Sequence, residues 1–192
     1  AVAAQVGPAE RAGRLDLRDR CFLTIDPANA RDHDDAICVE TTAPGAARLW
    51  VAIADVSHFV REGSAIDREA LRRGNSVYFP DRAIPMLPEK LSGDLCSLRP
   101  EVDRLVLAVE LDIEADGSVT GARFHRAVVR SRARLSYPQA AAVMETGGEP
   151  GFVGLLEPEV ETQLRRLAEV AQGLMQRRLV AGALDFDLPA PE

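Results

Sequence analysis

Apolar and polar positions alternate in a way that divides the chain into short elements. Leu105, Leu107, Val109, Leu111 and Ile113 recur at every second residue, the spacing of a half-buried strand. Asp116-Gly117 follows and suits a tight turn, so residues 104–113 and 118–130 are predicted to form a long antiparallel hairpin. DAICVE (35–40) and RLWVAIA (48–54) read as two further strands, joined by a turn at Pro44-Gly45. Helical spacing appears elsewhere. Ser64 can cap a short helix over 64–73, with Asp67 three residues on and Gly74 placed to end it. Ser136 opens another, with Gln139 at the capping-box position, Pro138 in the first turn, and Gly147-Gly148 as the stop. The longest helix is predicted over residues 158–180, where Val160, Leu164, Leu167, Ala171, Leu174 and Met175 form an apolar stripe expected to pack in the core. Strands and helices mix without strict βαβ alternation. The expected class is therefore α+β, a mixed, largely antiparallel sheet flanked by helices. Residues 1–13 are expected to be a linker or the end of an upstream domain, and 14–192 the amino-terminal part of a larger domain.

Composition narrows the setting. No apolar run approaches the ~20 residues that span a bilayer, so no membrane partner is expected. The first residues lack the apolar stretch of a secretory signal. Cys21, Cys38 and Cys96 form no CxxC pair, which suggests neither zinc nor a disulfide framework and fits a reducing cytoplasm. The net charge of −7 argues against a general polyanion binder, but the charge is uneven. Residues 121–135 carry Arg123, Arg126, Arg130, Arg132 and Arg134 with no acid, and Lys90 is the only lysine in the chain. Guanidinium groups recognise phosphate bidentately. A solvated strand face or a GC-rich genome accounts for the same residues, and Arg99 and Arg104 are open to both readings.

The candidate chemistry lies in TIDPANARDHDDA, residues 24–36, where Asp26, Asp32, Asp34 and Asp35 fall close together. Like charges this near repel unless something positive lies among them. Carboxylate oxygens suit hard ions such as Mg2+ or Mn2+, and two such ions can hydrolyse a phosphodiester. An acidic surface loop is the ordinary meaning of such a cluster, but here apolar segments flank it on both sides. An EF-hand fails, because the glycine and glutamate that it needs are missing. Arg31 could serve as counter-charge among the carboxylates, and His33 is equally readable as a satisfied loop residue or a catalytic one. Asp55, Ser57 and His58 in ADVSH read as structural support, since they are local neighbours and no GxSxG elbow is present.

This aspartate segment resembles the signature that opens the catalytic (RNB) domain of the RNase II/RNase R family. RLDLRD (14–19), the stretch 50–105 beginning WVAIADVSHFV, VVRSRARLSYPQA (128–140) and GALDFDLPAPE (182–192) are similar to that family in the same order. The resemblance implies a processive 3′-to-5′ exoribonuclease that acts on single-stranded RNA, releases nucleoside 5′-monophosphates and uses Mg2+, with Mn2+ as a substitute. It implies that Asp26, Asp32 and Asp35 ligate metal, that Asp34 is the residue most sensitive for cleavage, and that Tyr78 in SVYFP packs near the 3′-terminal nucleotides. A monomer is expected for the complete enzyme. The chain departs from the family in length. RNA-binding barrels and the segment carrying the family's distal catalytic arginine are expected beyond it, so the activity is expected of the complete enzyme. The alternatives are a non-catalytic RNA-binding or interaction module that kept the fold, and a metal-dependent phosphatase or nuclease of another class. The latter's usual DxDx[TV] pattern is not matched by DHDDA.

Overall fold

A computed structural model describes residues 6–30, 32–79, 82–146 and 156–184. Five strands carry the molecule: β2 (Phe22–Asp26), β3 (Asp35–Ala43), β4 (Ala46–Ala54), β7 (Asp103–Ile113) and β8 (Val119–Ser136). β3 and β4 form the expected hairpin, with Gly45 at φ 79° in the turn, a value that glycine adopts without strain. β4 continues into β7, and β7 into β8, all antiparallel. The β7–β8 turn also forms as expected, with Gly117 at φ 75° and Asp116 accepting from the Ser118 N–H at 2.8 Å.

β8 runs past its partner. Its first part pairs with β7, while Ser131 to Ser136 lie alongside β2 in parallel. The ladder from β2 through β3, β4 and β7 thus returns to β8, and the sheet closes on itself. Nothing in the alternation of residues 104–130 announced this second pairing. A short strand, β1 (Leu15–Asp16), adds in parallel to β8 at Ala127 and Val128. The class is α+β with a largely antiparallel sheet, as the patterning implied.

Two faces result from the two-residue period. Phe22, Ala36, Cys38, Trp50, Ala52, Val106, Ala108 and Val129 form one core, closed by Leu91, Cys96 and Leu98. Leu23, Val39, Leu135, Ala140, Val143, Val160, Leu164 and Leu167 form the other, between the sheet and helices α4 (Tyr137–Thr146) and α5 (Pro158–Val180). Ser136 both ends β8 and caps α4. Its N–H donates to Gln139 Oε1 at 2.8 Å, and its Oγ accepts from the Gln139 N–H at 3.4 Å. The expected stop at Gly147-Gly148 lies outside the described residues.

The stripe on α5 holds only in its first half. Val160, Leu164 and Leu167 are buried, but Ala171 and Met175 are exposed, while between and beyond them Gly173 lies close to Gly117 of the β7–β8 turn and Arg177 stands 3.3 Å from Asp116. A polar residue joins the buried face. Gln163 Oε1 accepts from the Val39 N–H at 3.0 Å. β2 and β3 share only the Leu23–Ile37 pair, so β3 leaves its neighbour early and Gln163 supplies a missing partner.

Four short helical or strand segments lie outside this frame: α1 (Pro8–Arg11), α2 (Val56–Phe59), and the β5–β6 ribbon of Val77–Tyr78 with Ala83–Ile84. Helix α3 (Ala65–Arg73) is capped by Ser64, whose Oγ accepts from the Asp67 N–H, while Asp67 accepts from Gly63 rather than from Ser64 itself. Residues 6–13, read from sequence as a linker or domain end, are half exposed and touch the sheet at a few points. Val6 is buried with Leu105 and Val128, and Arg11 meets Asp103 at 2.7 Å.

The arginines of residues 121–135 mostly face carboxylates across the sheet. Arg123 donates to Glu110 at 2.6 Å, and Arg130 holds Asp103 through two nitrogens at 2.9 and 2.7 Å. Arg126 stands 3.6 Å from Asp55 and Arg132 3.8 Å from Glu101. Arg134 alone among the five has no carboxylate within reach among the described residues. The hydrogen bond from Arg123, opposed by burial and helped by His125 and Arg48, lowers the Glu110 carboxyl to about 2. A depressed folded value contributes stability above the ordinary 4.5 that is lost as pH falls toward about 2. Glu110→Gln is therefore expected to cost about 2 kcal/mol at neutral pH and to flatten the acid limb of the stability curve. Urea unfolding of both proteins across that range checks this; an unchanged slope would contradict it.

Candidate active site

The β2–β3 connection gathers the four aspartates at one rim of the sheet. Asp26 is the last residue of β2, opposite Ser136, and Asp35 the first of β3, opposite Ile53. The sheet therefore fixes two carboxylates through its ladders. Asp32 and Asp34 belong to the loop between them, which begins with a turn closed by the Ala30 N–H to Pro27 carbonyl bond at 2.9 Å. The Asp34 carbonyl accepts from Ala54 at 2.9 Å, which ties the far end of the loop to β4.

Between Asp32 and Asp34 the chain turns His33 inward. Only 3% of His33 is exposed, whereas Asp32 is half-buried and Asp34 and Asp35 are exposed. The imidazole Nδ1 lies 2.7 Å from Asp26 Oδ2. Sequence reasoning left His33 undecided. The available signal was its place between two acids in a short extended run, where alternate side chains face opposite ways.

Charge compensation distinguishes this rim. Asp55, Asp94, Asp103, Glu110 and Asp112 each pair with at least one arginine. Among the described residues none pairs with Asp32, Asp34 or Asp35; Arg31, the expected counter-charge, lies outside them. Loss of solvation pushes the Asp34 carboxyl up, and the charges of Asp32, Asp35 and Asp26 push it further. Asp35 is raised by the same loss of solvation and by Asp26. All four offer hard oxygen donors, the set that suits a divalent cation of the Mg2+ class. No three acidic, histidine or cysteine side chains among the described residues stand ready as a cage. The fit is thus one of donor chemistry and uncompensated charge.

Tyr78 stands apart, in the β5–β6 ribbon, and is 73% exposed, so it is no part of the core. Asp55 is buried and accepts from Ser57 at 2.7 Å and Arg14 at 2.6 Å. Burial opposes its charge, but those bonds and the Arg14 and Arg126 charges hold the carboxyl below its ordinary value. It anchors the amino-terminal segment, the supporting role read from ADVSH. Arg104 is buried and donates to the Ser97 carbonyl at 2.8 Å, and Arg99 donates to the Gly93 carbonyl, so both serve the segment beside the loop.

Known proteins share this fold. The family model described as RNB domain matches residues 14–192. Ribonuclease R of Escherichia coli is 50% identical over 183 residues, which cover 95% of this chain and 22% of that protein. Mycoplasma genitalium RNase R, solved in complex with double-stranded RNA, superposes with a TM-score of 0.86 at 34% identity, covering 95% of this chain and 32% of that one. Yeast Ssd1, described as a pseudonuclease, shares the fold with a TM-score of 0.75 at 20% identity, over 93% of this chain and 21% of that one. The chain spans about a quarter of the length of the curated relatives it matches.

The raised Asp34 value has a consequence for stability. A carboxyl raised in the folded state destabilises it once ionised, fully above the folded value, with relief as pH drops below the ordinary 3.8. Asp34→Asn is expected to raise the thermal midpoint in EDTA by roughly 1–3 °C at neutral pH and to leave it unchanged near pH 3. Calorimetry at both pH values checks this; a lower midpoint at neutral pH would remove the crowding argument.

Proposed function

The chain belongs to the RNB-domain family, and from that premise we propose that it supplies the carboxylate wall of a 3′-to-5′ exoribonuclease acting on single-stranded RNA. The observation that carries this reading is the crowding of Asp26, Asp32, Asp34 and Asp35, the last three of which meet no arginine among the described residues, in a fold that elsewhere pairs its inner carboxylates with arginine. Asp26, Asp32 and Asp35 would hold Mg2+, or Mn2+ in its place. When bound, two divalent ions supply Lewis acidity at the attacking and leaving oxygens of the scissile phosphate. The residues of this chain do the positioning. Asp26 and Asp35 are rigid because β2 and β3 hold them, and Asp34 is the group whose loss stops cleavage. A water oxygen would bond to phosphorus as the bond from phosphorus to the 3′ oxygen of the penultimate nucleotide breaks. The phosphate then leaves on the 5′ oxygen of the released nucleotide, and the freed 3′ oxygen takes up the proton lost by the water. Tyr78, exposed on its ribbon, offers an aromatic face to a terminal base without sequence preference. Processive release of nucleoside 5′-monophosphates belongs to the complete enzyme, for which a monomer in the cytoplasm is the working picture. M. genitalium RNase R has also been solved with ribose-methylated single-stranded RNA, which supports RNA as the ligand. A second reading, a non-catalytic RNA-binding or interaction module, draws on Ssd1, where the same fold belongs to a pseudonuclease.

The test uses the complete natural protein that contains this chain, 5′-labelled single-stranded RNA and Mg2+. A ladder shortening from the 3′ end is expected, with cleavage abolished by EDTA. Asp34→Asn is expected to lower the rate about 1,000-fold or more with RNA affinity retained. Equal cleavage by the variant would remove the role of Asp34, activity that persists in EDTA would remove the metal reading, and an inactive native protein would favour the binding module. Tyr78→Ala should weaken binding of the RNA 3′ end by about 1–3 kcal/mol, read as Kd in EDTA; an unaltered Kd would return Tyr78 to a surface role.

A further inference from the structure

The loop between β2 and β3 contains one side chain that the acidic cluster does not account for. His33 is clamped from both sides. Its N–H donates to Ser97 Oγ at 3.2 Å, and its carbonyl accepts from the Leu98 N–H at 2.8 Å. Both partners follow a π-helical turn, Leu91–Leu95, a rare geometry that recurs at functional sites. That segment is braced in turn by the buried Arg104, which bonds the Ser97 carbonyl at 2.8 Å and Asp94 at 3.2 Å. The imidazole is thus held in place by a chain of contacts that ends in the sheet, and it points Nδ1 at Asp26.

An ionised carboxylate only accepts hydrogen bonds, so Nδ1–H is the donor to Oδ2. No hydrogen bond reaches Asp26 Oδ1 among the described residues. We infer that His33 is a positioning residue for Asp26: it fixes one carboxylate oxygen through Nδ1–H and leaves the other free as a donor to a divalent cation. This role rests on the reading of Asp26 as a metal ligand. Hydrogen bonds behind a ligating carboxylate set its orientation, and their loss typically costs 10–100-fold in metal affinity. Simple packing is the competing explanation, since the ring also fills space beside Ser97 and Leu98. The two differ in what replaces the ring. Phenylalanine keeps volume without a donor, and asparagine places an N–H near the Nδ1 position with less volume.

The experiment titrates Mn2+ into the complete natural protein and reads free Mn2+ by electron paramagnetic resonance, with RNA affinity in EDTA and circular dichroism as controls. His33→Phe should weaken Mn2+ binding about 10-fold with RNA affinity unchanged, and His33→Asn should restore most of it. Should the Phe variant not fold, His33→Leu takes its place. Native-like Mn2+ affinity in the Phe or Leu variant would overturn the inference, as would an Asn variant no better than Phe. Absence of Mn2+ binding by the native protein would overturn the metal reading as well, an outcome distinct from a variant that merely matches the native affinity.

Discussion

Strand β8 is paired twice, antiparallel to β7 along its first part and parallel to β2 along its last residues. That one long strand closes the ladder that runs through β2, β3, β4 and β7, and where β3 parts from β2 the Gln163 side chain takes up the Val39 N–H. It also sets the position of everything that matters chemically. Because β2 lies parallel to the end of β8, Asp26 is level with Ser136, where the strand stops and α4 begins. Because β3 pairs with β4, Asp35 is level with Ile53, and the loop carbonyl of Asp34 reaches Ala54. The start of β3 and the ends of β2, β4 and β8 thus share a rim.

A second constraint is where the fold places its charges. Arginines at Arg14, Arg48, Arg104, Arg123 and Arg130 are matched to carboxylates, several of them directly across a strand pair. Asp103 alone draws Arg11, Arg18 and Arg130. Exposed pairs of this sort contribute little each, but removing one partner of a buried pair leaves an uncompensated charge. Against that pattern Asp32, Asp34 and Asp35, which meet no arginine among the described residues, stand out as a place where negative charge is concentrated. The same pairing explains how a chain of net charge −7 can hold an arginine-rich strand: Arg123 and Arg130 face carboxylates of the same sheet. Most of those guanidinium groups are already engaged.

Secondary structure was largely legible because its signals are local. The hairpin turns at Gly45 and Gly117, the caps at Ser64 and Ser136 and the span of α5 all depend on residues within a few positions of one another. The parallel pairing of β8 with β2 was not legible, since a strand that changes partner keeps the same alternation throughout. Nor was the burial of Gln163, whose role exists only because β3 parts from β2 and leaves the Val39 N–H without a partner. The stripe on α5 was read as core along its length, yet Ala171 and Met175 face solvent, because what lies beside each turn of a helix is set by the fold and periodicity does not encode it.

The candidate site divides in the same way. By itself the sequence determined which residues could bear the chemistry, because four carboxylates within one short segment repel one another and offer the hard oxygen donors that a divalent cation suits. It determined the family too, through motifs in order from residue 14 onward. The tertiary structure decided which way each side chain faces. It turned His33 inward to Asp26 and left Tyr78 exposed on a separate ribbon. It also set four of the five arginines of residues 121–135 within ion-pair distance of carboxylates. Those outcomes depend on partners such as Ser97, Asp103 and Glu110, which lie far from them in sequence and meet them only when the sheet closes.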